Sequence, residues 1–255
     1  MAVYHTDMAR VAPVVPAETD ILCERCGYTL NGLPESGNCP ECGQPIVRST
    51  IEDRREPPAW ERDELPRFAA FARTTAEVLF RPARFYRTLQ TRRETGRART
   101  FAQSHWSIAA LCFASAAVLH SRWYLVTIGG MRPTIFDSWI AIAMVAMLVA
   151  TYFALDFITR LAAKLTALEA AYRGIRMPYG AVLRAMQYHA AHYLPVALIA
   201  VMTVWVYVTL VDRGVMSVAT STRYLYLLCA EVVLGAVYLF QTYWIGMRNM
   251  MYANR

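Results

Sequence analysis

Four cysteines near the start of the chain carry its clearest chemistry: Cys23-x-x-Cys26-Gly27, a gap of twelve residues, then Cys39-Pro40-x-Cys42-Gly43. Two residues between the thiols of a hook let both sulfurs face one ion, and two hooks supply four-thiolate ligation. The glycine after each hook permits the positive φ of a tight knuckle. Residues 21–47 therefore read as a zinc ribbon with Cys23, Cys26, Cys39 and Cys42 as ligands to Zn2+. Iron is the less favoured occupant, although four thiolates suit either metal. Between the hooks, Gly27-Tyr28-Thr29-Leu30 reads as a short strand turning at Asn31-Gly32. So small a unit has almost no hydrophobic core, and the metal is expected to supply most of its folding free energy, on the order of 10 kcal/mol.

The rest of the chain must position this ribbon. The sequence has 255 residues, is 56% hydrophobic and carries a net charge of +7. Its apolar residues concentrate after residue 105, which points to a membrane protein rather than a large soluble core. Apolar runs at Trp106–Leu125, Ser138–Ile158, Leu194–Val211 and Tyr224–Met247 are each close to the ~20 residues that cross ~30 Å of hydrocarbon. Trp106, Trp123, Tyr124, Trp139, Tyr193, Tyr224, Tyr243 and Trp244 sit at their ends, as an interfacial belt requires. The expected fold class is an all-α multi-pass membrane protein of about four spans with a small N-terminal zinc ribbon.

Of 26 basic residues, 25 are arginine and one is Lys164. Arg84, Arg87, Arg92, Arg93, Arg97 and Arg99 precede the first span, the next loop has only Arg132, and the loop after that has Arg160, Lys164, Arg173, Arg176 and Arg184. That alternation, with no apolar signal segment in the first 20 residues, places both termini in the cytosol of a bacterium, the spans in its inner membrane. In a reducing compartment paired Cys-x-x-Cys hooks read as metal ligands rather than disulfides. Nucleic-acid binding is disfavoured, because no arginine-rich stretch interleaves with a recognisable nucleic-acid module.

Domain organisation follows as a flexible tail (1–20), the ribbon (21–47), a solvated linker stiffened by Pro57, Pro58 and Pro66 (48–66), an amphipathic surface-helix region (67–100) and the helical transmembrane domain (101–255). From Arg67 to Leu89 the apolar residues Phe68, Phe71, Val78, Leu79, Phe85, Tyr86 and Leu89 share a helical face. Pro82 breaks it into two helices or a kink. An arginine-bearing amphipathic helix before a span is expected at the bilayer surface. The second span is expected to run on as a helix until Gly174 and the Met177-Pro178-Tyr179-Gly180 turn, with a further helix over Ala181–Tyr193.

Cys26-Gly27-Tyr28-x-Leu30-x-Gly32-Leu33-Pro34 with Cys39-Pro40-Glu41-Cys42-Gly43 resembles the N-terminal ribbon of a group of bacterial membrane proteins of unknown function. Pro82-x-x-Phe85-Tyr86-x-x-Leu89, and Arg184-x-x-x-Tyr188 leading to Pro195, resemble the Yip family of multi-pass proteins. That resemblance implies a non-enzymatic membrane scaffold and supplies no catalytic residues. The hooks are also similar to the rubredoxin-like unit of rubrerythrins, which implies an iron electron carrier, but no Glu-x-x-His pair is present to build a diiron partner.

Three polar groups in or just before the apolar runs are further candidates. Glu231 lies roughly 10 Å into the fourth span by helical rise, with Arg122 and His120 available as partners on the same side. Asp156 precedes Arg160 by one turn, and His189 and His192 stand at i and i+3, where two imidazoles can share a metal. No Walker loop, Gly-x-Ser-x-Gly or His-Glu-x-x-His is present. The expected function is therefore non-catalytic, the ribbon contacting a cytosolic protein partner and the body resting in the lipid bilayer. The alternatives are a small transporter or channel using Glu231 and Arg122, and the iron carrier.

Overall fold

A computed structural model of the protein describes residues 14–51, 55–91, 96–130, 133–217 and 221–254, the side chains of 133–137 excepted. The helices follow in order as α1 (Val47–Thr50), α2 (Arg67–Phe80), α3 (Pro82–Thr88), α4 (Gly96–Trp123), α5 (Pro133–Tyr172), α6 (Tyr179–His189), α7 (Tyr193–Asp212) and α8 (Ser221–Met250). A 3-10 turn at Ala59–Glu61 precedes α2, a π-turn at Tyr124–Ile128 extends α4, and a 3-10 turn at Ala190–His192 joins α6 to α7.

Among the described residues, four segments are long and apolar enough to cross a membrane: Gly96–Ile128, Ser138–Tyr172, Tyr179–Asp212 and Ser221–Met250. They correspond to the four expected spans and fit a multi-pass membrane protein. Successive spans run in opposite directions, so the start of α4, the end of α5, the start of α6 and the end of α8 share one end of the bundle, the end that carries the ribbon. At 40 residues, α5 is about 60 Å long, well beyond the ~30 Å of hydrocarbon, and its surplus stands out at the ribbon end. It stops where the sequence expects: Ile175 N–H donates to Ala170 O and Gly174 N–H to Ala171 O, the paired bonds of a Schellman turn.

The bundle is packed most tightly at the ribbon end. Val78, Phe85, Tyr86, Phe101, Val182, Met186, Tyr188 and Met247 form one buried cluster there, Trp106, Leu155 and Tyr193 a second in the middle, and Trp123, Val204, Tyr207 and Tyr224 a third at the far end. Outward, Trp139, Phe153, Phe157, Ile199, Val232 and Phe240 are exposed, which is what a lipid-facing surface requires.

The break at Pro82 occurs as expected, Arg81 leaving the helical region at φ −137 and ψ 46 and proline opening α3 at its first turn. The environment of these helices differs from expectation. Val78, Phe85, Tyr86 and Leu89 are packed into the protein's own core rather than into a bilayer. Only Phe68 and Phe80, 83% and 81% exposed, remain outside.

The part of the expected linker over 55–61 is likewise not solvated, while 63–66 is exposed. Arg55, Ala59 and Glu61 are buried, Glu56 N–H donates to Thr88 O, and Trp60 Nε1–H donates to Arg97 O at 2.7 Å. The cause is a buried ion pair: Arg184 of α6 lies 2.7 Å from the Glu61 carboxylate, the two side chains being 0% and 1% exposed, and the Tyr188 hydroxyl donates to the same carboxylate. A charge so deeply placed must be paired, and this pairing draws the acidic, proline-rich segment into the body. Part of the expected tail is also fixed, since Arg176 donates to the carbonyls of Ala17 and Asp20. Residues 1–13, together with Arg92, Arg93 and Arg132 of the charge alternation, lie outside the described residues.

Candidate metal centre

Each hook of the ribbon is built by the same backbone bonds. Cys23 N–H donates to Tyr28 O and Gly27 N–H to Cys23 O, while Cys39 N–H donates to Gln44 O and Gly43 N–H to Cys39 O, all at 2.8–2.9 Å. Gly27 and Gly43 take φ +80 and +71, a conformation costly for any residue with a Cβ. The expected strand is reduced to two isolated antiparallel bridges, Leu22 with Thr29 and Asn38 with Pro45. Leu30 and Ile46 pack beneath the thiols of Cys23 and Cys39.

The two equivalent knuckles bring all four sulfurs together. Cys23 Sγ is 3.5 Å from Cys42 Sγ, Cys26 Sγ is 3.6 Å from Cys39 Sγ, and all four lie within 4.8 Å of one another. Ligand bonds of ~2.3 Å in a tetrahedron place sulfurs about 3.8 Å apart, so the donor set fits one metal ion. Burial pushes the Cys23 thiol up and the Cys26 thiol up to about 12. Burial acts the same way on Cys39, but N–H groups of Cys42 and Glu41 outweigh it and hold that thiol near about 7. The backbone is thus arranged to receive thiolate at Cys39, and a cation would draw the protons from the others.

The ribbon is fastened to the helical body by the last residues of the chain. Asn254 Oδ1 accepts from Leu22 N–H at 2.9 Å, and Asn254 Nδ2 donates to the carbonyls of Leu22 and Ser49 at 2.6 and 3.0 Å. Arg176 also donates to Asn254 Oδ1 at 3.3 Å. Glu24, inside the first hook, accepts from Arg55 Nε at 3.1 Å and from Asn254 N–H at 3.3 Å. Arg55 continues to Leu89 O at 3.0 Å, tying ribbon to α3. Asn254 gave no sequence signal, because a single polar side chain more than 200 positions from the cysteines belongs to no local pattern.

The other candidates are placed differently from expectation. Glu231 accepts the hydroxyl of Thr203 from α7, and among the described residues no ion pair joins it to Arg122, which is exposed. His120 meets the Tyr224 hydroxyl at 2.9 Å instead. The rings of His189 and His192 are 4.9 Å apart, but His189 is bonded to Thr242 and His192 to Tyr238, at 3.0 and 2.8 Å. Asp156 and Arg160 do pair, at 2.9 Å. Among the described residues the four cysteines form the one group of three or more such side chains able to converge on an ion. Compared with protein-family models, curated proteins and solved structures, the chain matches none.

Proposed function

We propose that this is a non-catalytic protein of the bacterial inner membrane whose zinc ribbon, held rigidly at the cytosolic end of the helical bundle, contacts a cytosolic protein partner. The observation that carries the reading is the double attachment of the ribbon through Asn254 and Glu24. A fixed appendage presents one constant face, and a preorganised surface loses less freedom on association than a tethered one. That face is the side away from the body, where Pro34, Glu35, Asn38, Pro40, Glu41 and Gly43 are exposed. Zinc is favoured over iron because a fixed partner surface requires a redox-inert ion. The alternation of basic loops supports the orientation.

Affinity purification of the full chain from membranes tests this reading. A Glu35→Arg/Glu41→Arg variant should keep its metal and lose a copurifying protein that the wild type retains. An unchanged set of copurifying proteins contradicts it.

A further inference from the structure

Beyond the ribbon, a second site lies where α2 meets α3. A cavity of about 270 Å³ opens between those helices and the segment that hangs on α3 through Glu56, and four guanidinium groups line it, Arg62, Arg73, Arg81 and Arg84. Two carboxylates, Glu56 and Glu77, share the lining. Glu56 lies 3.6 Å from Arg62, which also has the exposed Glu64 outside the lining at 4.0 Å, and Glu77 lies 3.1 Å from Arg73. Such exposed pairs are weak, and the balance of the site is two positive charges. Arg81 and Arg84 have no carboxylate partner among the described residues, and Arg62 Nε is a buried donor with no acceptor there. A concave site with surplus guanidinium groups and an orphaned donor is suited to a small, multiply charged oxyanion. At that volume it is below the roughly 300–1,000 Å³ of pockets that enclose drug-sized ligands.

We propose that this cavity binds a phosphate group. Its position favours a group at the level of lipid headgroups. Arg87 of α3 donates to Asn249 near the end of α8 at 3.1 Å, and Trp60, beside the opposite wall, is bonded to Arg97 at the start of α4. Both walls are therefore fixed at the ends of membrane-crossing helices. Phe80, next to Arg81, is 81% exposed, placed to enter the acyl boundary while the neighbouring guanidinium holds the phosphate. A soluble phosphate compound offers the same chemistry.

Native mass spectrometry of the full-length protein, counting phosphatidylglycerol retained from mixed micelles and inorganic pyrophosphate retained from solution, tests the site. Wild type should retain one or both. Arg81→Gln/Arg84→Gln should weaken retention about tenfold or more, as loss of charge-assisted bonds implies, and Glu56→Gln/Glu77→Gln should strengthen it. Arg99→Gln/Arg248→Gln makes the same charge change at exposed positions of the same end and should leave retention unaltered. Retention of the lipid alone names the headgroup as the source, and of pyrophosphate alone a soluble compound. The proposal is overturned if wild type retains neither probe, if the Arg99/Arg248 variant loses as much as the Arg81/Arg84 variant, or if the Glu56/Glu77 variant retains less than wild type.

Discussion

Tyr252 presses its ring against Gly27 so closely that a Cβ at position 27 would stand 2.5 Å from Tyr252 Cε1. The knuckle glycine of the first hook is therefore also the seat for the end of the chain. At the corresponding glycine of the second hook, Gly43, an added Cβ would meet nothing within 4 Å. The two hooks share one backbone and differ in whether the body touches them.

That difference separates folding of the ribbon from its docking. Gly27→Ala and Gly43→Ala should each cost about 1–2 kcal/mol for a left-handed residue with a Cβ. A chelator competition should then show zinc affinity reduced roughly 5–30-fold in both. Only Gly27→Ala should also free the chain end, seen as faster proteolysis after Met250.

Asn254→Ala removes three side-chain hydrogen bonds to Leu22 and Ser49. At about 1 kcal/mol each, docking should weaken by about 3 kcal/mol. Hydrogen exchange at Leu22 should accelerate, while metal content stays at that of the wild type. Unaltered exchange would mean that the chain end does not hold the ribbon.

Glu61→Ala leaves Arg184 buried without its carboxylate and should cost about 3–5 kcal/mol. Disruption of the exposed Arg73–Glu77 pair by Glu77→Ala should cost no more than about 0.5 kcal/mol. Thermal melting in detergent distinguishes the two, and equal losses would contradict the burial of the Glu61 pair.

Glu231 and Arg122 should be energetically independent. A double-mutant cycle with Glu231→Ala and Arg122→Ala should give a coupling within about 0.5 kcal/mol of zero. A Thr203→Val/Glu231→Ala cycle should give a coupling of about 1 kcal/mol or more.

What the sequence revealed, and what it hid, follows from distance along the chain. The cysteine hooks, the four apolar helices, the break at Pro82 and the stop at Gly174 are encoded within a few residues, where ligand spacing, helical period and backbone preference act directly. Helical period alone groups Phe68 with Val78, Phe85 and Tyr86 on one apolar face, yet it remains exposed while they are buried. Glu61 stands in a stretch rich in proline and both charge signs, and such composition describes an average. It does not show that one carboxylate is taken up by Arg184, 123 positions on. Arg122 was paired with Glu231 by depth alone, whereas the rotation of each helix turned Glu231 toward Thr203.

Metal analysis of full-length protein purified from membranes, beside a Cys39→Ser variant, tests most directly that a zinc ribbon is built onto the membrane body. The account predicts colourless protein with one zinc per chain, lost from the variant. Iron in the same proportion, with colour that bleaches on reduction, or four titratable thiols and no metal, would contradict it.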